Sequence, residues 1–275
     1  MTALTRSAVD HPTTIRTTQG APLVRTLRET WLIYRRSLIL TLRQPVWVAM
    51  GLIQPILYLV LFGPLLDGAT AASGQAGSAF NWFIPGLLVQ TAFFAAAFAG
   101  FGLVAELRYG VIERMRVTPM SRFAMLSGRS LRDVTILLVQ AGLMIVVAIP
   151  FGLGIDPVGA VLTLGLVALI GLTMSLFSYA AALVLKSEDA LAPVVQGIAL
   201  PVLLLSGILL PMSLAPDWLR TLSTFNPLTH AVDAARALFN GVWADPQIVV
   251  GVTIMGVLTV IALWVASRAF SRGTT

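Results

Sequence analysis

The sequence predicts an all-α polytopic membrane protein with six transmembrane helices. Three observations carry this. The 275 residues are 57% hydrophobic and only 11% charged, with a mean hydropathy of +0.88. Six apolar stretches, at 46–66, 80–105, 133–154, 158–185, 190–210 and 246–267, reach the roughly 20 residues that cross a bilayer core of about 30 Å. The 18 lysines and arginines alternate with the crossings: all but Arg220 and Arg236 lie in the first, third, fifth and last connecting segments. Positive charge marks the cytoplasmic side of short loops, so both termini are expected inside.

Taken in order, residues 1–21 hold six threonines, scattered charges and no apolar run; they read as a disordered cytoplasmic tail. Pro22 opens a helix over 22–44. Leu23, Leu27, Trp31, Tyr34, Leu38 and Leu42 repeat at helical spacing, with Arg25, Arg28, Arg35 and Arg36 on other faces. This is an amphipathic helix lying on the inner leaflet, its arginines toward anionic headgroups. Everything from 45 to 270 is a membrane domain.

The segment 106–132 between spans two and three holds six arginines: Arg108, Arg114, Arg116, Arg122, Arg129 and Arg132. An arginine at a helix centre costs about 2.5–3.5 kcal/mol, so the segment is expected in the cytoplasm. Val111–Arg116 has a short helical pattern, Pro119 breaks it, and Ser121 is placed to cap a new helix running through Arg122, Leu126 and Arg129 into span three. The shape is a helix–turn–helix knuckle.

In span two, Gln90, Phe94, Phe98 and Phe101 share one helical face, a wall suited to an aromatic or lipid-like solute. Gln54, Gln140 and Gln196 in spans one, three and five call for interhelical hydrogen bonds. Ser187 reads as the cap of span five, with Glu188 and Asp189 in its first turn. Val202, Leu203, Leu204 and Leu205 at the far end of that span would form an apolar plug. Pro55, Pro85, Pro193 and Pro201 would allow bending. Residues 211–241 are too long for a hairpin and too short to cross twice. Asn226-Pro227 and Asn240-Gly241 bracket a helix of about 13 residues, roughly 20 Å. It would dip into the outer leaflet as a re-entrant gate, with Asp233 and Arg236 paired at i, i+3.

Several chemistries are excluded. The chain has no cysteine, hence no thiolate metal site or disulfide. Its one lysine, Lys186, lies outside any G-x-x-x-x-G-K-(S/T) phosphate loop, so ATP would have to act through another chain. His230 and Asp233 share a helix face but lack further ligands for a metal. The basic residues flank apolar spans and form no soluble face for nucleic acid. The acids sit at span edges, none near a span centre, which argues against an ion-coupled carrier.

Three segments resemble the permease subunits of type-2 ABC exporters, especially the antibiotic-resistance branch typified by daunorubicin/doxorubicin permeases. They are "AELRYGVIERMRVTPMSRFAMLSGRSL", "SEDALAPVVQGIALPVLLLSGILLPMSLAPDWL" and "FNPLTHAVDAARALFNG", and the likeness extends over 22–270. It implies that Glu106, Gly110, Glu113, Arg114, Arg116 and Pro119 belong to the coupling loop that docks on a separate ATPase, where ATP and Mg would bind. It implies a re-entrant pair containing Asn226, Pro227, Asp233 and Arg236. It also implies two permease copies with spans two and five on the dimer axis, so that Gln90, Phe94, Phe98 and Gln196, with Leu203 and Leu204, would line the path. The expected role is export of a hydrophobic drug or natural product across a bacterial cell membrane. Export of a lipid or glycan is the alternative; an ion-coupled carrier or a non-transporting membrane scaffold are rivals of other classes.

Overall fold

The computed structural model describes residues 22–73, 79–110, 121–209, 212 and 215–272. Among them the structure is helical, without strands. In chain order the helices are α1 (Pro22–Leu42), α2 (Pro45–Ser73), α3 (Ala79–Ala97), α4 (Ala99–Arg108), α5 (Arg122–Ala148), α6 (Pro157–Leu185), α7 (Glu188–Leu205), α8 (Asp217–Thr224), α9 (Pro227–Phe239) and α10 (Pro246–Arg272). Five stretches are long and apolar enough to cross a membrane: Phe80–Arg108, Phe123–Phe151, Pro157–Leu185, Glu188–Leu205 and Pro246–Phe270; α2 carries a shorter one, Ala49–Gly63. The tail 1–21 and the loop residues 111–120 lie outside the described residues.

The bundle is built around α6, which packs against α3, α4, α5, α7, α9 and α10. Its contact faces carry small residues, among them Gly159, Ala160, Gly171, Ser175, Ser178 and Ala182. Lipid tails are as apolar as leucine, so helices in a membrane gain from close approach rather than from apolar burial, and small residues permit it. On α10, a Cβ added at Gly251 would lie 2.5 Å from the His230 carbonyl oxygen of α9. The hydroxyls of Thr173 and Thr259 join α6 to α10 at 2.6 Å. Two apolar clusters result. One centres on Phe83, Leu87, Met144, Ile170 and Phe239, the other, toward the arginine-rich end, on Leu103, Leu126, Tyr179, Leu183 and Ala266.

Two sequence expectations need correction here. Span two is not one continuous helix: it breaks at Phe98 between α3 and α4. Phe101 N–H bonds to the Phe98 carbonyl at 3.1 Å, an i→i−3 bond that releases the Ala97 carbonyl. The Ser178 hydroxyl of α6 fills the gap. It donates to Ala97 O at 2.5 Å and accepts from Gly100 N–H at 2.8 Å. Glycine is required there because a Cβ would lie 2.7 Å from Ser178 Oγ.

The helix expected from Ser121 into span three is present: Ser121 Oγ accepts the Ala124 N–H at 3.1 Å, α5 starts at Arg122, and Arg129 and Arg132 within it have the partners described below. The leucine stripe of α1 faces away from the bundle, as an interfacial helix allows. Leu27, Trp31 and Leu42 are exposed, whereas Ile33 is buried. The packed face holds smaller groups and lets α1 and α5 nearly touch: a Cβ at Gly128 would lie 2.8 Å from the Thr30 carbonyl oxygen. Finally, Ser187 occupies the cap position of α7, but its side chain makes no capping bond.

Replacing Ser178 by Ala orphans two backbone groups in the apolar interior and should destabilise the fold by about 1–2 kcal/mol. Gly100→Ala should cost more, through the clash. Thermal unfolding of the purified protein in detergent measures both; an unchanged transition in Ser178→Ala would show that the break is held by something else.

Candidate functional site: a lined cavity and its charged end

At the arginine-rich end, α4 stops at Gly110, whose φ of 65° is the left-handed conformation that glycine adopts freely. Its N–H bonds the Leu107 carbonyl at 3.1 Å. One turn earlier, Glu106 receives the guanidinium of Arg129 from α5. Arg129 is only 5% exposed, and a buried cation is tolerated only with such a partner. Glu113, Arg114, Arg116 and Pro119 lie outside the described residues.

The helix α1 is fastened along α5 at successive points. Glu29 Oε2 accepts the Ser121 N–H at 2.8 Å, while its Oε1 takes Arg25 Nε at 2.8 Å. The bond from Ser121 and the nearby Arg25 charge hold the Glu29 carboxyl below the usual carboxylate range. Further along, the Tyr34 and Thr135 hydroxyls meet at 3.2 Å. Arg132 Nη1 donates to Thr41 Oγ1 at 3.2 Å.

Arg132 and Thr41 are also wall residues of a cavity of about 710 Å³ among α2, α3, α4, α5 and α7. Four amides reach it, one from each of α2, α3, α5 and α7: Gln54, Gln90, Gln140 and Gln196. Phe94 and Phe98 stack on its wall, their ring centroids 6.4 Å apart and nearly parallel. Asp133 completes the charged side. It is ion-paired with Arg132 at 3.1 Å and accepts the Tyr179 hydroxyl of α6.

The structure thus brings Gln90, Phe94 and Phe98 onto one wall, as the helical spacing suggests, and places Gln196 of α7 on the same cavity. It departs from the sequence reading elsewhere. Gln54 donates to Tyr58 of its own helix at 3.2 Å rather than across helices. Leu203 is in the apolar core and Leu204 is exposed; neither lines the cavity. Asp133 sits within α5 among partners from its own helix and from α6. Sequence inspection misses the Arg132–Asp133–Tyr179 cluster, since the tyrosine is far along the chain.

At the opposite end, Asn226 caps α9, its Oδ1 accepting Leu228 N–H at 3.1 Å while its amide nitrogen donates to Val202 O at 2.7 Å. Pro227 holds the first helical position. Arg236 pairs with Asp233 at 3.5 Å. Unforeseen is its larger role: it donates to Gly207 O at 2.8 Å and to Trp82 O at 3.3 Å, and lies over the Trp82 ring at 3.9 Å. One arginine thereby ties α9 to the ends of α3 and α7. Among the described residues no group of three potential metal ligands occurs.

The sequence model of the ABC-2 type transporter family matches residues 28–240, a range that includes most of α1, the cavity and α9. This chain belongs to that family. It is the membrane subunit of an ABC transporter, a multi-pass permease. Among its relatives is a putative transport permease, ycf38, of Cyanophora paradoxa, 28% identical over 217 residues that cover 78% of this chain and 75% of the relative. The daunorubicin resistance ABC transporter permease protein DrrB1 of Streptomyces coeruleorubidus is 26% identical over 202 residues, 72% of this chain and 70% of that one. The inner membrane transport permease YhhJ of Escherichia coli K12 is 25% identical over 195 residues, 66% of this chain and 50% of that one.

Two outcomes test the charged end of this permease. Glu106→Leu leaves Arg129 buried without its partner and should cost about 2 kcal/mol, most of it recovered in Glu106→Leu/Arg129→Leu; additive losses in a double-mutant cycle of thermal stability would dismiss the pair. Because the Glu29 pKa lies below its ordinary 4.5, its carboxylate stabilises the fold above that pH. The contribution is lost as pH falls through the lowered value. Glu29→Gln should therefore flatten the acid limb of melting temperature against pH; superimposable curves would remove this fastening.

Proposed function

We propose that this permease exports hydrophobic drugs or natural products, working as a dimer with a second copy and driven by two separate cytoplasmic ATPase subunits that hold ATP and Mg. The observation that carries the reading is the cavity. Its aromatic and amide wall suits amphipathic solutes, and Arg132 and Thr41 on that wall belong to the α1–α5 contact that begins at Ser121, beside the loop. The printed name of one relative, a daunorubicin resistance permease, supports the drug-export branch. The sequence lacks a phosphate loop, so hydrolysis belongs to a partner.

In this reading the arginine-rich end faces the cytoplasm of a bacterial cell, and so do both termini. ATP binding closes the ATPase pair and displaces the loop from Glu106 to Pro119, with Glu113, Arg114 and Arg116 at the contact. Ser121 and Glu29 pass the displacement to α1 and α5 as one unit. Arg132 then shifts against the cavity, which switches from inward-facing to outward-facing. At the outer end, α9 and its Arg236 staple form the gate.

Co-expression with the ABC ATPase encoded beside this gene should yield a stable complex; recovery of the permease alone under conditions that preserve ABC complexes would sink the coupling claim. In that complex, Glu113→Ala/Arg114→Ala should insert normally but lower drug-stimulated ATP hydrolysis by about tenfold. Unchanged stimulation would reduce the loop to a topology signal.

A further inference from the structure

The lining of the cavity specifies more than hydrophobicity. Its two charges consume each other. Arg132 Nε lies 3.1 Å from Asp133 Oδ1, Arg132 Nη1 donates to Thr41, and Asp133 also accepts from Tyr179. The dyad is neutral as a unit, and an unpaired charge moved beside it would meet one like charge as well as one unlike.

What remains open is neutral hydrogen bonding. Gln90 is 2% exposed, and its Oε1 has no hydrogen-bond partner among the described residues. An unsatisfied buried acceptor is costly, so the complementary occupant brings a donor. The amide lies one helical turn from Phe94 on the same wall, and Phe94 and Phe98 present a stacked pair of rings. Aromatic surface and hydrogen-bond acceptor are therefore a fixed short distance apart on one helix, a rigid two-point pattern. On the opposite wall Gly51 lets Gln140 pack closely on α2: a Cβ there would lie 2.6 Å from Gln140 Nε2.

We propose that the cavity selects uncharged aromatic solutes bearing a hydroxyl or amide N–H, which stack on Phe94 and Phe98 and donate to Gln90 Oε1, over permanent cations and over rings that lack a donor. This rests on reading the cavity as the export path, and it adds Gln90 as the residue that sets specificity. A single hydrogen bond to a buried acceptor separates two otherwise matched ligands by about tenfold in affinity.

The absence of cysteine from the sequence makes a direct test available. Ala95→Cys places a lone thiol on the cavity wall. The full-length permease in lipid nanodiscs is labelled with a maleimide in the presence of 2-naphthol, 2-methoxynaphthalene or a 2-naphthyl trimethylammonium salt, compared at equal concentration in the membrane. The expected result is protection by 2-naphthol at about tenfold lower concentration than by either of the others. Adding Gln90→Leu should abolish that preference and leave protection by 2-methoxynaphthalene unchanged.

Equal protection by 2-naphthol and 2-methoxynaphthalene overturns the proposal without any need for the Gln90 variant, and so does strongest protection by the cation. A Gln90→Leu variant that weakens both neutral probes equally overturns the role of Gln90. Labelling needs no ATP, so the two readings fail separately. Preferential protection without ATP-driven flux of any probe supports this site and removes export. Flux of all three probes with equal protection keeps export and removes the selectivity.

Discussion

Inside a bilayer no water is at hand to satisfy an exposed backbone group, and the break at Phe98 exists only because Ser178 supplies both missing partners. The arrangement around it depends on this contact. Phe94, Ala95 and Ala96 before the break and Phe98, Ala99 and Gly102 after it line one wall of the cavity. A hydroxyl from the central helix thus holds the chain at the point where that wall passes from α3 to α4.

The same economy governs charge. Each described charge inside the bundle is balanced within a short reach: Arg129 by Glu106, Arg132 by Asp133 and the Thr41 hydroxyl, Arg236 by Asp233 and two carbonyls. Glu106–Arg129 crosses between helices as an ion pair, and Arg132 and Arg236 cross through a hydroxyl and two carbonyls. They make α1, α4 and α5 a linked unit at one end, and α3, α7 and α9 another at the opposite end. The cavity lies where the first unit meets α2 and α7, so relative motion of helices there changes its walls directly. A permease that switches access needs such rigid units around a deformable space.

Local sequence rules reached far into this protein because the membrane simplifies them. Length and hydropathy find the helices; Ser121, Asn226-Pro227 and Asn240-Gly241 mark ends that the structure also shows, since capping is decided within a few residues. Glutamine and phenylalanine at helical spacing placed Gln90, Phe94 and Phe98 on one face. Local rules stopped where partners are distant in the chain. The stripe of Leu27, Trp31 and Leu42 marks the apolar face of α1, which is exposed, but nothing local announces that Thr30 and Ile33 pack on Gly128 of α5. Ser178 looks like any small residue of a buried span, and nothing near Asp133 in sequence announces Tyr179.

By itself the sequence determined the class, the approximate positions of the spans and the family to which its loop motifs point. These follow from hydropathy, charge and capping, which act over a few residues. Only the tertiary structure decided where span two breaks, which face of α1 is used, that four glutamines share one cavity, and which arginine carries which partner. Those are settled by hydroxyls, amides and ions from helices tens of residues apart, and a polar group in a membrane takes whichever partner the packing of small residues brings within about 3 Å.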